Sequence, residues 1–405
     1  MTSLDGLRGV ASVVVVLHHL YLVATPVITS QSGSAVGSLY WWLSETPLKL
    51  ITAGTEGVLV FFVLSGLVVA LPAIERASFS WAGFFSSRVV RLYFPVWAAL
   101  AIGTALIWLL PRNPAAVTQG TWVETSNATS TSIAYLLSQA SLTRVAYGVD
   151  NVLWSLRWEL IFSLLLPVFV LVAKRLGRFW LPALGVAFAL TIVGALARID
   201  ALLYLPVFFI GTVLASRLPS IRAGAERWRR GTHGRWIGCA FVATALLLLL
   251  GGWLTRGFAP SGSTANILLG QLSVVGAAAL VVAAIGVRGL ARFLDSRVCQ
   301  WLGRVSFSLY LIHVPIIATL AFILGDQNWW LVALLTIPLA LVAAWGFNVA
   351  VERPAHRLAR RVSSRAAMVG AAIKKRSWVD DRPDWLNSST ESLDNARALQ
   401  TIRIR

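Results

Sequence analysis

The sequence predicts an all-α integral membrane protein that crosses the bilayer about ten times. Of its 405 residues, 57% are hydrophobic and 13% are charged, about half the charged fraction of an ordinary soluble domain. The mean hydropathy is +0.73, and apolar runs recur at close to the roughly 17–25 residues that a spanning helix needs. Because this small number of charges cannot provide a water-soluble surface, a bilayer must surround most of the chain.

Ten apolar runs account for this composition. The first run contains His18 and His19 and is followed by no convincing cleavage site, so we predict an uncleaved span rather than a signal peptide. The sixth run is the shortest. The predicted spans are residues 10–30, 51–72, 92–110, 152–173, 179–197, 201–216, 236–255, 266–287, 305–324 and 329–351.

The basic residues are divided unevenly between the two sides of these spans. With the N-terminus inside, the inner segments hold 29 Lys and Arg residues, the outer segments hold 5, and Arg157 lies within a span. Basic residues concentrate on the cytoplasmic side, so both termini are predicted to be cytoplasmic. The net charge of +18 is therefore explained by topology, and no nucleic-acid partner is expected.

The chain divides into a transmembrane domain, residues 1–360, and a polar cytoplasmic tail, residues 361–405, which its composition predicts to be disordered. The longest outer loop, residues 111–151, is rich in Thr, Ser, Asn and Gln, and either helps to bind a substrate or is a connector. The two cysteines, Cys239 and Cys299, form no CxxC or metal-binding pattern, so we predict no metal site.

Ionisable residues inside the bilayer cost about 2.5–3.5 kcal/mol each, which makes them candidate functional residues. Arg8 and His19 are eleven residues apart, so they lie within about 20° of each other on one helix face, roughly 16 Å apart along the axis. Asp5 shares that face. The arrangement suits a long ligand with an anionic head at the cytoplasmic rim. An interhelical hydrogen bond from His19 and a topological anchor at Arg8 would also explain it.

Two further groups flank the third and fourth spans. Arg88 and Arg91 share one helix face before the third span, and paired guanidinium groups suit a phosphate, although anchoring would also explain them. Glu159 lies about 9 Å inside the outer end of the fourth span and approaches mid-membrane from outside. The structural alternative is a pair with Arg157 or with another helix. Arg157 lies about 200° round the helix from Glu159, so the local pair is disfavoured.

A polar stripe and a helix end complete the candidates. Ser306, Tyr310 and His313 share one face of the ninth span, where they line a cavity or hold helices together. Glu352 ends the tenth span at the cytoplasmic rim, where a helix end with a salt bridge is the structural alternative.

Six segments, in this order along the chain, resemble the acyltransferase-3 family of membrane acyltransferases, which O-acetylate polysaccharides, antibiotics and lipids. Two positions differ from the family pattern, with Leu59 where Asp is common and Phe307 where Tyr is usual. The segments are Leu4-Asp5-Gly6-Leu7-Arg8-Gly9 with His19, residues 57–66 (GVLVFFVLSG), Arg88-Val89-Val90-Arg91 before Pro95, residues 154–159 (WSLRWE), residues 303–313 (GRVSFSLYLIH) and residues 351–354 (VERP).

The resemblance implies a role for each of these residues. His19 would be the catalytic histidine, the arginines would hold the donor, and Glu159 would be an essential carboxylate on the acceptor side. The implied donor is a cytoplasmic acyl-CoA, usually acetyl-CoA, and no cofactor is permanently bound. The implied donor-binding residues are Arg8, Arg88 and Arg91, and the supporting residues are Asp5, Ser65, Ser155, Tyr310, His313 and Glu352.

The expected function is transfer of an acyl group, most often acetyl, to a hydroxyl of a carbohydrate, a lipid-linked acceptor or another cell-envelope acceptor, at a bacterial inner membrane. His19 would act as a general base or as an acylated nucleophile. Either role needs a tunnel from the inner arginines to His19. A proton-coupled secondary transporter and a scaffold that has lost its chemistry are the alternatives.

Overall fold

The computed structural model describes residues 1–76, 78–143, 147–231 and 233–380, with side chains described except at 228–230 and 370–380. The described residues form seventeen α-helices and no strand. The helices are α1 (Thr2–Ser32), α2 (Leu39–Ser44), α3 (Gly54–Glu75), α4 (Trp81–Leu109), α5 (Trp122–Ser126), α6 (Ile133–Ala140), α7 (Leu153–Arg175), α8 (Trp180–Ala197), α9 (Asp200–Ser216), α10 (Leu218–Arg230), α11 (Gly234–Leu249), α12 (Gly251–Leu254), α13 (Thr264–Gly286), α14 (Arg288–Leu294), α15 (Arg297–Leu324), α16 (Trp329–Phe347) and α17 (Arg353–Asp380).

The ten predicted spans all fall on helices, which confirms an all-α, multi-pass membrane protein. Among the described residues, eight helical segments are long and apolar enough to cross a bilayer. A ninth span results if α9 and α10, which meet at a bend of 67°, are counted together. The predicted span at residues 236–255 is divided between α11 and α12, and α11 alone is about 24 Å long.

Three helices begin eight or more residues before the spans predicted for them. Helix α1 starts at Thr2 rather than residue 10, α4 at Trp81 rather than 92, and α15 at Arg297 rather than 305. The added turns of α1 and α4 carry the three candidate arginines, whose charges exclude them from an apolar run. These added turns can lie in the helix bundle because the arginine side chains face a cavity instead of lipid.

Glycines of helix α1 pack closely against the end of α14, through Gly6, and against α15, through Gly9. A Cβ atom at Gly6 would overlap the backbone carbonyl of Leu294, and one at Gly9 would lie 2.5 Å from the amide nitrogen of Gly303. Small residues let membrane helices approach to backbone contact. This packing sets the rest of α1 against α15, so polar residues on their facing sides must pair with each other.

Each end of the described chain packs beside the start of another helix. Gln300, near the start of α15, donates a hydrogen bond to the carbonyl of Thr2 at 2.8 Å. Gly83, at the start of α4, lies against Ser363 of α17. The placement of both termini in the cytoplasm stays a prediction.

The predicted tail is helical over its first part. Residues 361–380, placed by composition in an irregular tail, continue α17 to Asp380. The helix persists because its first turns pack against α4, as at the contact of Gly83 with Ser363. The prediction for residues 381–405 lies outside the described residues.

Candidate active site

Nine of the eleven candidate site residues line one cavity of about 320 Å³, a volume at the lower end of the range for small-molecule pockets. The cavity lies between α1, α3, α4, α7 and α15, beside the segment that joins α16 to α17. Its lining passes from exposed to buried residues, from Arg91 to Tyr310. The nine residues are Asp5, Arg8, Ser65, Arg88, Arg91, Ser155, Glu159, Tyr310 and Glu352.

Two arginines at the mouth lack a carboxylate partner. Arg8 donates hydrogen bonds from Nε to Ser306 Oγ at 2.9 Å and from Nη2 to the carbonyl of Gly303 at 3.2 Å, both neutral acceptors. Arg91 is exposed. Within the described ranges, neither guanidinium group forms an ion pair. Arg8 and Arg91 can therefore pair with an anion that enters the mouth.

Glu159 lies beside the arginines in the cavity, and its role on the acceptor side, which the resemblance implies, stays a prediction. Its carboxylate forms an ion pair with Arg88 and accepts a hydrogen bond from Ser65 Oγ at 3.1 Å. Arg88 also donates to Ser163 Oγ at 2.9 Å. An unpaired carboxylate in an apolar setting is costly, and the long arginine side chain of α4 can reach it. Arg157 instead lies over the ring of Trp158, 5.2 Å from its centroid, which agrees with the helical angle.

Glu352 is held by neutral donors in a π-helix, Asn348–Glu352, a distortion common at functional sites. Its Oε2 atom accepts hydrogen bonds from Ser308 Oγ at 2.5 Å and from Asn348 Nδ2 at 2.9 Å. Arg353 donates to Asn348 Oδ1 at 3.1 Å. Arg353 therefore does not pair with Glu352, whose carboxylate lies within ion-pair distance of His356 instead.

His356 lines the same cavity and was missed by the sequence analysis. Its Nε2 atom lies 3.8 Å from Glu352 Oε1. The sequence signal was the spacing of four residues, which puts both side chains on one helix face. His356 lay beyond the matched motifs, so its position in the cavity depended on how α17 packs.

Two hydroxyl groups close the buried end of the cavity. Ser155 Oγ and Tyr310 Oη are 2.6 Å apart in a hydrogen bond, and Ser155 also donates to the carbonyl of Val152 at 3.0 Å. Both residues are at most 6% exposed. The ring of Tyr310 lies 6.0 Å from that of His313, centroid to centroid. The cavity therefore ends next to a buried histidine.

His313 is hydrogen-bonded to His19. His313 Nε2 lies 3.1 Å from His19 Nδ1, and His19 Nδ1 also lies 2.9 Å from the carbonyl of Val15. His313 Nδ1 lies 2.9 Å from the carbonyl of Leu309. A carbonyl only accepts, so each Nδ1 carries the proton in the neutral rings. His19 Nδ1–H then points to two acceptors, and Nε2 of His19 carries the free lone pair.

In the part of the chain that the structure describes, the cavity that contains Arg88 does not extend to His19, as the predicted tunnel requires it to. Among the described residues, neither His19 nor His313 lines the cavity, and the side chain of Tyr310 forms its wall beside His313. The sequence places these residues on suitable helix faces. It does not fix the rotamer of an aromatic ring, which here closes the passage through its hydrogen bond with Ser155.

The outer loop reaches His19 from a different direction. The ring of Trp122 lies 4.9 Å from that of His19, centroid to centroid. Arg112 ties the loop to α15 by donating to the carbonyl of Ala128 at 2.6 Å and to Thr319 Oγ1 at 3.2 Å. The loop is thus in contact with the candidate catalytic ring. Residues 144–146 of this loop lie outside the described part.

Buried ionisable residues near the outer loop were also missed. Asp150, just before α7, is fully buried, and burial raises the pKa of its carboxyl well above the usual value. Lys49 and Glu56, between α2 and the first turn of α3, are buried as well. A single charge beside a span is ordinary in a membrane sequence, so nothing in the pattern marked these residues.

Comparison with known proteins agrees with the motifs. Residues 1–349 match a family described as "Acyltransferase domain". The chain is 26% identical over 385 residues to acyltransferase MdmB of Streptomyces mycarofaciens, covering 89% of this chain and 93% of that protein. It is 24% identical over 381 residues to O-acetyltransferase PaAT-1 of Phomopsis amygdali, covering 80% and 73%. No solved structure matches.

Proposed function

Because the chain belongs to this acyltransferase family, we propose that it transfers an acyl group, most often acetyl, from acyl-CoA to a hydroxyl of a carbohydrate or other cell-envelope acceptor. The observation that carries the proposal is the cavity with arginines at its mouth and Tyr310 at its end, one ring away from the His313–His19 pair. We assign the protein to a bacterial inner membrane, with the cavity open to the cytoplasm.

The donor would enter with its phosphates last. Arg8 and Arg91 would pair with the phosphate groups, because they have no carboxylate partner among the described residues. Arg88, neutralised by Glu159, would shape the wall. The narrow pantetheine arm would follow the apolar lining, which includes Phe61 and Leu156. This order brings the thioester to Ser155 and Tyr310.

The thioester would take over the hydrogen bond between Ser155 and Tyr310. Each hydroxyl can turn from the other toward the thioester carbonyl oxygen, where negative charge develops in the transition state. Donors aimed at such an oxyanion typically contribute about 10²–10³-fold to the rate. The same movement would remove the contact that closes the passage to His313 and His19.

His19 would carry the proton in the transfer. As a general base, its Nε2 atom takes the proton of the acceptor hydroxyl while the oxygen attacks the thioester carbon. The C–S bond breaks, and the leaving thiolate receives the proton, which gives the ester and CoA thiol. In the covalent route, Nε2 attacks first and the acyl group passes from the ring to the acceptor. The covalent route would be identified if the protein, incubated with labelled acetyl-CoA in the absence of acceptor and then quenched with acid, retained the label.

His313 would position His19 and stabilise its charge. When Nε2 gains a proton or an acyl group, Nδ1–H becomes a stronger donor, and His313 Nε2 is its acceptor at 3.1 Å. Val15 supplies a second acceptor at 2.9 Å. This arrangement resembles the use of a hydrogen-bonded partner to hold a catalytic histidine in one tautomer.

The test is acyl transfer by the purified full chain in detergent, with radiolabelled acetyl-CoA. We expect CoA release and label transfer, both lost in His19→Ala and retained in a control variant, His233→Ala, at an exposed histidine. Binding of CoA should survive in His19→Ala, because His19 does not line the cavity. Full transfer by His19→Ala would refute the role of His19. Failure of the wild-type protein to bind or consume acetyl-CoA would refute the function.

A further inference from the structure

A second cluster of polar side chains lies farther along α1 than the cavity. Lys49 comes from the 3₁₀ turn Pro47–Thr52, Glu56 from the first turn of α3, and Trp253 from α12. Trp253 Nε1 donates to Glu56 Oε1 at 2.8 Å. Lys49 Nζ and the guanidinium carbon of Arg256 each lie 3.6 Å from the centroid of the Trp253 ring. None of these residues lines the cavity described above.

The cluster contains buried polar atoms without partners. Lys49 is 0% exposed and Glu56 is 7% exposed. Within the described part of the chain, Lys49 Nζ, Glu56 Oε2 and Arg256 Nε have no hydrogen-bond partner, and Lys49 and Glu56 do not form an ion pair. Buried charges are normally paired or hydrogen-bonded because the desolvation penalty is large. A ligand that supplies both a donor and an acceptor would satisfy them.

The cluster adjoins the candidate catalytic histidine through its neighbour. His18 Nδ1 donates to the carbonyl of Thr52 at 2.9 Å, and Gly54 lies against the His18 ring. The rings of His18 and His19 are 5.4 Å apart, centroid to centroid. The segment that carries Lys49 and Glu56 therefore lies one ring away from His19. Trp253 and Arg256 are partly exposed, so the cluster has an accessible side.

We propose that Lys49 and Glu56, with Trp253, bind the acceptor through two neighbouring hydroxyl groups of a polyhydroxylated ring, the chemistry of a sugar. A hydroxyl both accepts from an ammonium group and donates to a carboxylate. An anionic group would be repelled by Glu56 and a cationic one by Lys49. One hydroxyl accepts from Lys49 Nζ, the next donates to Glu56 Oε2, and Trp253 Nε1 holds the carboxylate in place. This proposal rests on the proposed function, for which it supplies the second substrate.

The experiment compares two acceptor probes that differ by one hydroxyl, trans-1,2-cyclohexanediol and cyclohexanol. Purified full chain is given acetyl-CoA with each probe, and ester formation and CoA release are measured. We expect kcat/KM for the diol to exceed that for cyclohexanol at least about tenfold, equivalent to about 1.4 kcal/mol. Glu56→Gln should reduce the ratio to within about twofold of one, because it removes the hydrogen bond to the second hydroxyl. Lys49→Met should lower kcat/KM for both probes, because it removes the hydrogen bond to the hydroxyl that they share.

A matched control is Glu75→Gln, which removes an exposed carboxylate at the opposite end of the same helix, α3. It should keep the preference for the diol. If the wild-type protein consumes acetyl-CoA but forms no ester with the probes, or forms it without a preference for the diol, this proposal is overturned and the proposed function stays intact. A preference that survives in Glu56→Gln would also overturn it. Absence of both CoA binding and CoA release would instead be a failure of the proposed function.

Discussion

His313→Leu tests whether His313 stabilises charge on His19 or only fills space. The substitution removes the Nε2 acceptor that lies 3.1 Å from His19 Nδ1 and keeps a side chain of similar size in a site that is 0% exposed. A hydrogen bond to a group that becomes charged contributes about 1.5–3 kcal/mol. At about 1.4 kcal/mol per tenfold, kcat should fall roughly 10–100-fold.

The KM for acetyl-CoA should remain within about twofold, because His313 does not line the donor cavity and only transition-state charge is affected. The assay is the initial rate of CoA release over a range of acetyl-CoA concentrations. His313→Gln, whose amide oxygen can accept from His19 Nδ1, should recover part of kcat. His233→Leu, at an exposed histidine, is the control.

Two results would refute this reasoning. An unchanged kcat in His313→Leu would mean that the hydrogen bond between the histidines does not act in the transition state. A rise in KM that matches the fall in kcat, together with a lower melting temperature, would mean that His313 is purely structural. The double variant His19→Ala/His313→Leu should be no worse than His19→Ala, since coupled residues are not additive.

Three other perturbations follow from the same contacts. Arg91→Gln should weaken CoA binding about tenfold, measured by isothermal titration calorimetry at low salt. The control is Arg178→Gln, at an exposed arginine outside the cavity, which should leave CoA binding unchanged. Equal losses of affinity in the two variants would contradict a donor site at the mouth. Glu159→Gln should strengthen CoA binding up to about fivefold, because it leaves the charge of Arg88 without its carboxylate partner. The gain is small because the pair is partly exposed, at 14% and 24%, and contributes only about 1 kcal/mol. Weaker CoA binding in this variant would contradict the reasoning. Burial lowers the pKa of Lys49 to about 8. Between about pH 8 and 10.5 the unfolded chain therefore binds more protons than the folded chain, so the free energy of unfolding should rise with pH in that window by at most about 3 kcal/mol. Melting temperatures at the two limits measure it, and a rise of equal size in Lys49→Met would assign it to other groups.

Much of the candidate site was accessible from the sequence because helix geometry fixes which residues share a face. Arg8 and His19 both contact α15, through Ser306 and His313, as their eleven-residue spacing predicts. The stripe of Ser306, Tyr310 and His313 likewise faces polar partners. These predictions depended only on periodicity within one helix, which the backbone determines locally.

Contacts between helices were predicted less well. Pairing of Glu159 with another helix was an alternative, but the sequence did not identify Arg88 as the partner. The hydrogen bonds that Glu352 accepts from Ser308 and Asn348 were not predicted. Each of these partners is distant in sequence or lies in a π-helix, and no periodic pattern specifies either.

The sequence by itself determined that this protein lies in a bilayer, that its fold is all-α, and which chemical groups are available to it. Apolar runs must be helical in a bilayer because every backbone hydrogen bond must be made within the segment. Only the tertiary structure decided that Tyr310 separates the cavity from His19, and that Lys49 and Glu56 meet at Trp253. These outcomes depend on how side chains from several helices share one buried space, and the free energy of that arrangement belongs to no single segment.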